Sequence, residues 1–333
     1  MAKTDGDSMI FPWQETAWQQ WQQQAAHLGQ AYLLSGAAGI GIDAFAREMA
    51  QGLLCQTPGV KACGQCAQCH QFRQATHPDF WVLKRLEDKK EITIDQVREL
   101  TDKVSRTAHQ GGFKVVLVLE TETLNVSAFN ALLKTLEEPP ERTVLILTTH
   151  RLSALPATII SRCRQVAFAA PSRDEALAWL QQALPQADLP LLKKALTLNW
   201  GGPVAAKTWI DDKAFEWEAA WQDDIKGLQQ GRLSVSQAVE KWKKWPRPEV
   251  ALDYFYAWSV NVVRSALYGQ KRPYSPNWLA FQKAVLQARQ YWHQNVNKDL
   301  LLEGICLEWL QQQQADYQPG AAFSGALIRG RDL

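Results

Sequence analysis

The chain has 333 residues, of which 46% are apolar and 21% charged, and its formal net charge is +2. This composition is typical of a folded globular protein, excludes extended disorder, and at this length allows two or three domains. The small net charge gives no argument for a polyanion-binding surface, and no apolar run approaches the roughly 18 to 20 residues that cross a bilayer. We therefore expect a modular cytoplasmic protein with no membrane partner.

Short apolar and β-branched runs alternate with amphipathic stretches from residue 31 to about residue 168. This alternation predicts a parallel α/β sheet. Asp95 and Ser127 are the expected N-caps of two helices, and Pro139 ends the second helix because proline cannot donate a hydrogen bond to a continuing turn. The predicted strands are residues 31–35, 79–84, 114–119, 143–148 and 164–168, and the predicted helices are residues 42–54, 95–107 and 127–137.

After Pro171 the strand pattern stops and helical periodicity continues to the end of the chain. We therefore predict three domains. They are a sheet domain at residues 1–168, a small helical lid at 169–211 and an all-helical collar at 212–333. Within them we expect two short lid helices before a third at 204–210, collar helices at 250–267, 278–293 and 298–314, and a loose tail after Pro319.

Four of the six cysteines cluster at Cys55, Cys63, Cys66 and Cys69. In a reducing compartment this spacing indicates metal ligation rather than disulfides, and four thiolates suit tetrahedral Zn²⁺. His70 and His77 are alternative ligands if one cysteine does not bind. A closed four-cysteine site leaves no open coordination position, so we expect a structural zinc at residues 55–69. Cys163 and Cys306 stand apart and are expected to be packing residues.

A glycine-rich turn, GAAGIGID at residues 36–43, follows the first predicted strand. Its spacing from Gly36 to Gly41 is that of a phosphate-binding loop, in which the next residue is a Lys that contacts phosphate and the one after it a Ser or Thr that binds Mg²⁺. Here those positions hold Ile42 and Asp43. Loss of the cation and gain of a carboxylate each oppose triphosphate binding by an amount on the order of kcal/mol. A chance glycine turn is the alternative while this motif is taken alone.

A second nucleotide motif is altered in the same way. The predicted strand at 114–119 lies where an Asp at its end would hold Mg²⁺, but that position is Leu119 and only the following Glu120 is acidic. Two motifs have thus lost charged residues while their apolar framework is intact. This combination indicates a nucleotide-binding fold that no longer performs nucleotide chemistry.

Two further segments carry a family resemblance: FNALLKTLEEPP at residues 129–140 and SRC at residues 161–163 resemble segments of clamp-loader ATPase subunits. Together with the cysteine cluster, they make most of residues 11–210 similar to the clamp-loader branch of the AAA+ family. The defective nucleotide motifs resemble the branch's non-hydrolysing subunit rather than its ATP-hydrolysing gamma/tau subunits. The C-terminal helices agree with the family only in number and position.

The resemblance implies roles for individual residues. Arg162 would be an arginine finger offered to ATP on the adjacent subunit, a role that suits a planar, permanently charged group; a local ion pair is the alternative. Thr148 and Thr149 occupy the family's first-sensor position and are expected to be structural here. The second-sensor arginine is replaced by Val204, so we expect the chain to bind no ATP.

The resemblance also implies partners: gamma/tau and delta subunits in a hetero-pentamer that loads a sliding clamp on primed DNA for the replicative polymerase. One rival is an active clamp-loader ATPase that tolerates its substitutions. The other is an autonomous zinc-dependent DNA-binding module, which is favoured by a set of basic residues. These are Lys61, Lys84, Arg85, Lys89 and Lys90. Acidic residues are interleaved with most of them, a pattern typical of a solvated face.

Overall fold

The computed structural model describes residues 10–23, 28–57, 61–86, 89–105, 108, 112–268, 276–292 and 296–312. The chain divides into two compact units, Met1–Thr208 and Trp209–Leu333. The finer division of the first unit at residue 168 stays a prediction, and the tail after Pro319 lies outside the described residues.

The first unit is built on a five-stranded parallel sheet in the order β2-β3-β4-β1-β5. The predicted strands are confirmed, although β2 is shorter than expected. Their bounds are Ala31–Gly36 (β1), Phe80–Leu83 (β2), Lys114–Val118 (β3), Thr143–Thr149 (β4) and Arg164–Phe168 (β5). Because β1 lies between β4 and β5, the turn after β1 adjoins the end of β4, where Ser35 is paired with Thr149.

Helices pack on both faces of this sheet and bury its alternating side chains. Leu33 belongs to the apolar core on one face, while Tyr32 and Leu34 belong to the core on the other, as the twofold repeat of a strand requires. The helices before and between the strands are Glu15–Gln23 (α1), Ile42–Leu54 (α2), Ala67–Arg73 (α3), Ile94–Val104 (α4), Val126–Glu137 (α5) and Ala157–Ile160 (α6).

Two helix starts differ from expectation. The N-cap of α4 is Thr93, whose N–H donates to Oε1 of Gln96 at 3.0 Å. The N-cap of α5 is Asn125, whose Oδ1 accepts from the N–H of Ala128 at 2.9 Å. The predicted caps Asp95 and Ser127 are therefore wrong, because in each case a capping residue two positions earlier begins the helix and places the predicted one in the first turn.

Three helices follow the sheet: Arg173–Ala183 (α7), Leu189–Leu198 (α8) and Pro203–Asp211 (α9). They confirm the predicted short helices, and the N-terminal part of α9 belongs to the first unit.

The second unit contains five helices in its described residues, and the three predicted collar helices are among them. They are Glu218–Gln229 (α10), Val235–Trp242 (α11), Val250–Tyr268 (α12), Pro276–Trp292 (α13) and Lys298–Gln311 (α14). Their core is rich in aromatic rings, among them Trp242, Phe255, Phe281 and Trp309. None of the helices in the described part of the chain combines the length and apolar character that a bilayer-spanning segment needs.

Candidate functional site

The four clustered cysteines meet at one point of the first unit. Cys55 follows the end of α2, Cys66 is the N-cap of α3, and Cys69 lies within α3. All four sulfur atoms lie within 4.8 Å of one another, and Sγ of Cys55 is 3.9 Å from Sγ of Cys66. Tetrahedral ligands at about 2.3 Å from a Zn²⁺ ion lie roughly 3.8 Å apart. The cluster therefore has the dimensions of a four-thiolate zinc site.

Backbone N–H groups within the cluster point at its sulfur atoms. The N–H of Cys63 donates to Sγ of Cys55 at 3.3 Å, that of Cys66 to Sγ of Cys63 at 3.4 Å, and that of Cys69 to Sγ of Cys66 at 3.4 Å. Such donors stabilise thiolates and hold them in place around a cation. The loop is thus arranged for anionic sulfur.

The pKa values of three of these thiols follow from their surroundings. Several hydrogen bonds lower the pKa of Cys63 to about 5, and the one from the N–H of Gln65 has the largest effect. For Cys66, burial is the largest influence and raises the pKa, but hydrogen bonds from the backbone of Gln56 and from the backbone and side chain of Cys69 lower the pKa overall. Burial raises the pKa of Cys69 to about 12. A metal cation would ionise this last thiol, because a coordinating thiol is deprotonated outright.

The two alternative histidine ligands lie outside this cluster. Nδ1 of His70 is 3.1 Å from Nη2 of Arg73, and Nδ1 of the buried His77 accepts from the N–H of Asp79 at 3.1 Å. Among the described residues, the group that could hold a metal ion consists of the four cysteines.

The glycine-rich turn lies at the carboxyl end of β1, and a segment N-terminal to it covers it. Gly41 has φ of +85°, and a Cβ atom added to it would come within 2.1 Å of Cε2 of Phe11. The carbonyl of Ile40 accepts from Nε1 of Trp13 at 2.8 Å and from Nε2 of Gln14 at 3.2 Å. An aromatic ring and two side-chain donors therefore contact this end of the turn.

The start of α9 contacts the other side of the turn. The carbonyl of Gly39 accepts from the N–H of Val204 at 2.9 Å and from the N–H of Ala205 at 3.3 Å. Gly39 has φ of +78°, and a Cβ atom there would lie 2.7 Å from Cβ of Ala205. In other proteins the N–H groups at a helix N-terminus often bind phosphate, but here they donate to the carbonyl of Gly39.

Three rings join the covering segment to α7, and we call Phe11, Trp13 and Trp179 the N-terminal aromatic cluster. Phe11 and Trp13 are stacked, with ring centroids 5.1 Å apart and planes at 3°. Trp179 meets both of them edge-on, at 5.3 Å and 5.6 Å. Since aromatic pairs in these geometries each contribute about 0.5–1.5 kcal/mol beyond their burial, the cluster ties α7 to the glycine turn.

The residues at the positions expected for phosphate and magnesium ligands mostly lie in or against the apolar core. Ile42 is fully buried in the apolar core that contains α2. Oδ1 of Asp43 is buried, and among the described residues it has no hydrogen-bond partner. Leu119 packs against the same core as Ile42. Glu120 has φ of +49°, and its carboxylate lies 3.9 Å from Nε of Arg85.

The threonines at the first-sensor position stabilise local structure. Oγ1 of Thr148 accepts from the N–H of Glu120 at 3.2 Å, and Oγ1 of Thr149 accepts from the N–H of Arg151 at 3.1 Å. Both residues are fully buried at the end of β4. These hydrogen bonds are consistent with the structural role expected of both residues.

Arg162 lies near the amino ends of the strands, whereas the glycine turn lies at their carboxyl ends. It precedes β5, whose first residue Arg164 is paired with Tyr32, whereas the turn follows Gly36, which is paired with Phe168. At about 3.3 Å per strand residue, these two ends of the paired strands are roughly 13 Å apart. Arg162 is therefore remote from the nucleotide motif of its own chain.

The Arg162 guanidinium is held by two groups while about a third of its side chain stays exposed. Nη2 lies 2.6 Å from Oε1 of Glu137, and Nη1 donates to the carbonyl of Thr158 at 3.0 Å. The local ion pair that was the alternative role for Arg162 is thus present. The sequence did not single out Glu137, because a carboxylate at the end of a predicted helix does not indicate which cation it will pair with.

Arg85, one of the basic residues behind the DNA-binding alternative, is already engaged. It lies near Glu120 as described, and its Nη1 donates to the carbonyl of Lys89 at 3.1 Å. Its charge is therefore partly balanced within the chain.

Comparison with known proteins identifies relatives along most of the chain. The family model described as "DNA polymerase III, delta subunit" matches residues 13–172. DNA polymerase III subunit delta' of Pseudomonas aeruginosa is 38% identical over 320 residues, 90% of this chain and 97% of that protein. Subunit delta' of Escherichia coli is 41% identical over 184 residues, 55% of each chain. DNA polymerase III subunit tau of Escherichia coli is 37% identical over 170 residues, 50% of this chain and 26% of that protein. The similarity to the Pseudomonas protein thus extends through both units.

Proposed function

The chain belongs to the delta-prime family of bacterial DNA polymerase III clamp-loader subunits, and on this basis we propose that it binds no ATP and supplies Arg162 to the ATP site of a neighbouring subunit. Its partners in this proposal are gamma/tau and delta subunits, in a cytoplasmic hetero-pentamer that loads the sliding clamp on primed DNA. The chain serves there as a comparatively rigid end piece.

The observation that carries the proposal is the packing of the chain's own groups against the glycine turn. Phe11 covers Gly41, and the N–H groups of Val204 and Ala205 bond to Gly39. Phosphate binds the N–H groups of such a turn; here Phe11 would hinder its approach to Gly41, and it would meet Asp43 without the cation that phosphate requires. Binding is opposed by sterics and by charge together, which supports a subunit that does not hydrolyse ATP.

The position of Arg162 supports action on another chain. It is exposed and lies at the end of the sheet opposite to its own glycine turn. A guanidinium is always charged and can engage several phosphate oxygens from one plane, so it can stabilise the charge that develops during phosphoryl transfer. The neighbour would provide the ATP and this chain the finger.

The four clustered cysteines would hold one structural Zn²⁺, which would cross-link the end of α2 to α3. The thiolate donors and sulfur spacing fit this ion. With all four positions taken by protein, the metal stabilises the fold and takes no part in ATP chemistry.

The test is ATP turnover by a reconstituted complex of this chain with gamma/tau, delta, the sliding clamp and primed DNA. Arg162→Ala should assemble normally, because an exposed ion pair contributes little to stability. It should lose part of the turnover and loading, since a finger is worth about 10³ to 10⁵ at a single site but other sites in the complex keep theirs. Arg162→Lys should also be impaired, because it lacks the planar fork.

Arg173→Ala, which removes another exposed arginine at the start of α7, is the matched control. It should behave as the unaltered complex does. Full turnover and loading by an assembled Arg162→Ala complex would show that the arginine has only a structural role. Binding of DNA by the isolated chain, tested across salt concentrations, would favour the zinc-dependent DNA-binding alternative.

A further inference from the structure

Arg162 is anchored at its backbone as well as at its side chain. Ile159 is fully buried and Cys163 is nearly so, and both belong to the core that also contains α5. The N–H of Arg162 donates to the carbonyl of Ile159 at 3.2 Å. The Cα atom of the finger therefore has a fixed position, and the remaining freedom lies in its long side chain.

Glu137 limits the rotamers of the Arg162 side chain, and the backbone of Glu137 is itself held in place. It is the last residue of α5, where Leu136 and Leu132 are buried in the same core. Its Oε1 lies 2.6 Å from Nη2 of Arg162, while the carbonyl of Thr158 accepts from Nη1 at 3.0 Å. Two anchors on different elements define the plane of the guanidinium. The C-terminal end of α5 also favours a cation electrostatically.

From this geometry we propose that Glu137 is the positioning residue of the arginine finger, acting on the neighbour's ATP only through Arg162. This inference rests on the proposed function. An unanchored arginine has many rotamers and must lose them when phosphate arrives, whereas one already held in plane loses fewer. The guanidinium has five N–H donors, so those not directed at Glu137 and Thr158 can still engage phosphate oxygens.

The experiment measures ATP turnover by the reconstituted complex as a function of ATP concentration. Glu137→Gln should lower maximal turnover of the complex by less than Arg162→Ala does, because at the one site that Arg162 serves the loss of a positioning hydrogen bond is worth on the order of 3- to 10-fold. The ATP concentration for half-maximal rate should change little, because the neighbour binds the nucleotide. Glu137→Asp, which keeps the carboxylate, should recover part of the rate.

Glu138→Gln removes the same charge from the exposed adjacent residue and should turn over ATP at the unaltered rate. The double variant Glu137→Gln/Arg162→Ala should be no slower than Arg162→Ala alone, because a residue that acts through Arg162 has nothing left to position. If Glu137 had a purely structural role, Glu137→Gln would slow ATP turnover equally in the unaltered chain and in Arg162→Ala.

Unaltered or faster turnover by Glu137→Gln, with Arg162→Ala slow, would overturn the positioning role and leave the finger in place. A further loss in the double variant would overturn it as well. If Arg162→Ala itself turns over ATP at the full rate, the proposed function fails and this inference fails with it.

Discussion

The ring of Phe11 lies so close to Gly41 that a Cβ atom on the glycine would overlap it. Gly41→Ala should therefore destabilise the protein in two ways. The left-handed backbone conformation costs about 1–2 kcal/mol for an L side chain, and the overlap adds roughly 1–3 kcal/mol. Urea titration of the full chain measures the sum.

Gly201→Ala is the matched control, since Gly201 has φ of +83° and no atom within 4 Å of an added Cβ. It should show only the backbone cost. Adding Phe11→Ala to Gly41→Ala should cost less than the sum of the two single changes, because the small residue removes the overlap. Equal destabilisation by Gly41→Ala and Gly201→Ala would contradict the close contact.

We expect neither the unaltered chain nor Ile42→Lys to bind ATP at micromolar concentration. Restoring the lysine alone leaves Asp43, Leu119 and Val204 in place and leaves Phe11 over the turn. Calorimetric titration with ATP and Mg²⁺ is the measurement, with an ATP-hydrolysing clamp-loader subunit as the positive control. Saturable micromolar binding by the unaltered chain would return the active-ATPase interpretation to first place.

The protein should contain about one tightly held zinc per chain, because a closed set of four thiolates makes metal binding part of folding. Cys69→Ser should lose most of the metal, whereas Cys163→Ala, outside the cluster, should keep it. Elemental analysis of protein purified under reducing conditions without added metal decides the matter. A zinc content below half an equivalent in the unaltered chain would refute the assignment.

Asp224 should be important for the stability of the second unit. It is buried, and it accepts from Nζ of Lys241 at 2.6 Å and from Nε1 of the fully buried Trp242 at 3.1 Å. Asp224→Ala leaves the indole N–H without this acceptor and should cost about 1.5–3 kcal/mol. Asp223→Ala, an exposed neighbour, should change the free energy of unfolding by less than about 0.5 kcal/mol. Equal effects of the two would exclude the proposed role.

Features set by short sequence patterns were predictable. All five strands follow from apolar runs, and the cysteine cluster follows from spacing, since α3 needs only one turn to carry Cys66 and Cys69 to the same point. The caps at Thr93 and Asn125 were missed because several consecutive residues can cap a helix and the hydrogen bond selects one of them.

Contacts between distant parts of the chain were not predictable. Nothing in the segment around Phe11 and Trp13 indicates that it covers the glycine turn, because the contact depends on where the fold places α1 and α7. The pairing of Glu137 with Arg162 likewise requires α5 and the residues before β5 to be placed first. The sequence predicts that nucleotide ligands are lost, but it cannot predict which groups occupy their place.

The N-terminal aromatic cluster holds Phe11 against the glycine turn, so Phe11 competes there with any molecule that binds from solution. A free competitor for this position binds only the fraction of molecules in which Phe11 has moved away. Under the proposed function, the conformation of this subunit does not depend on the supply of nucleotide. In the proposed complex, whose other subunits would change conformation with each ATP they consume, this subunit would be a fixed reference for their movements.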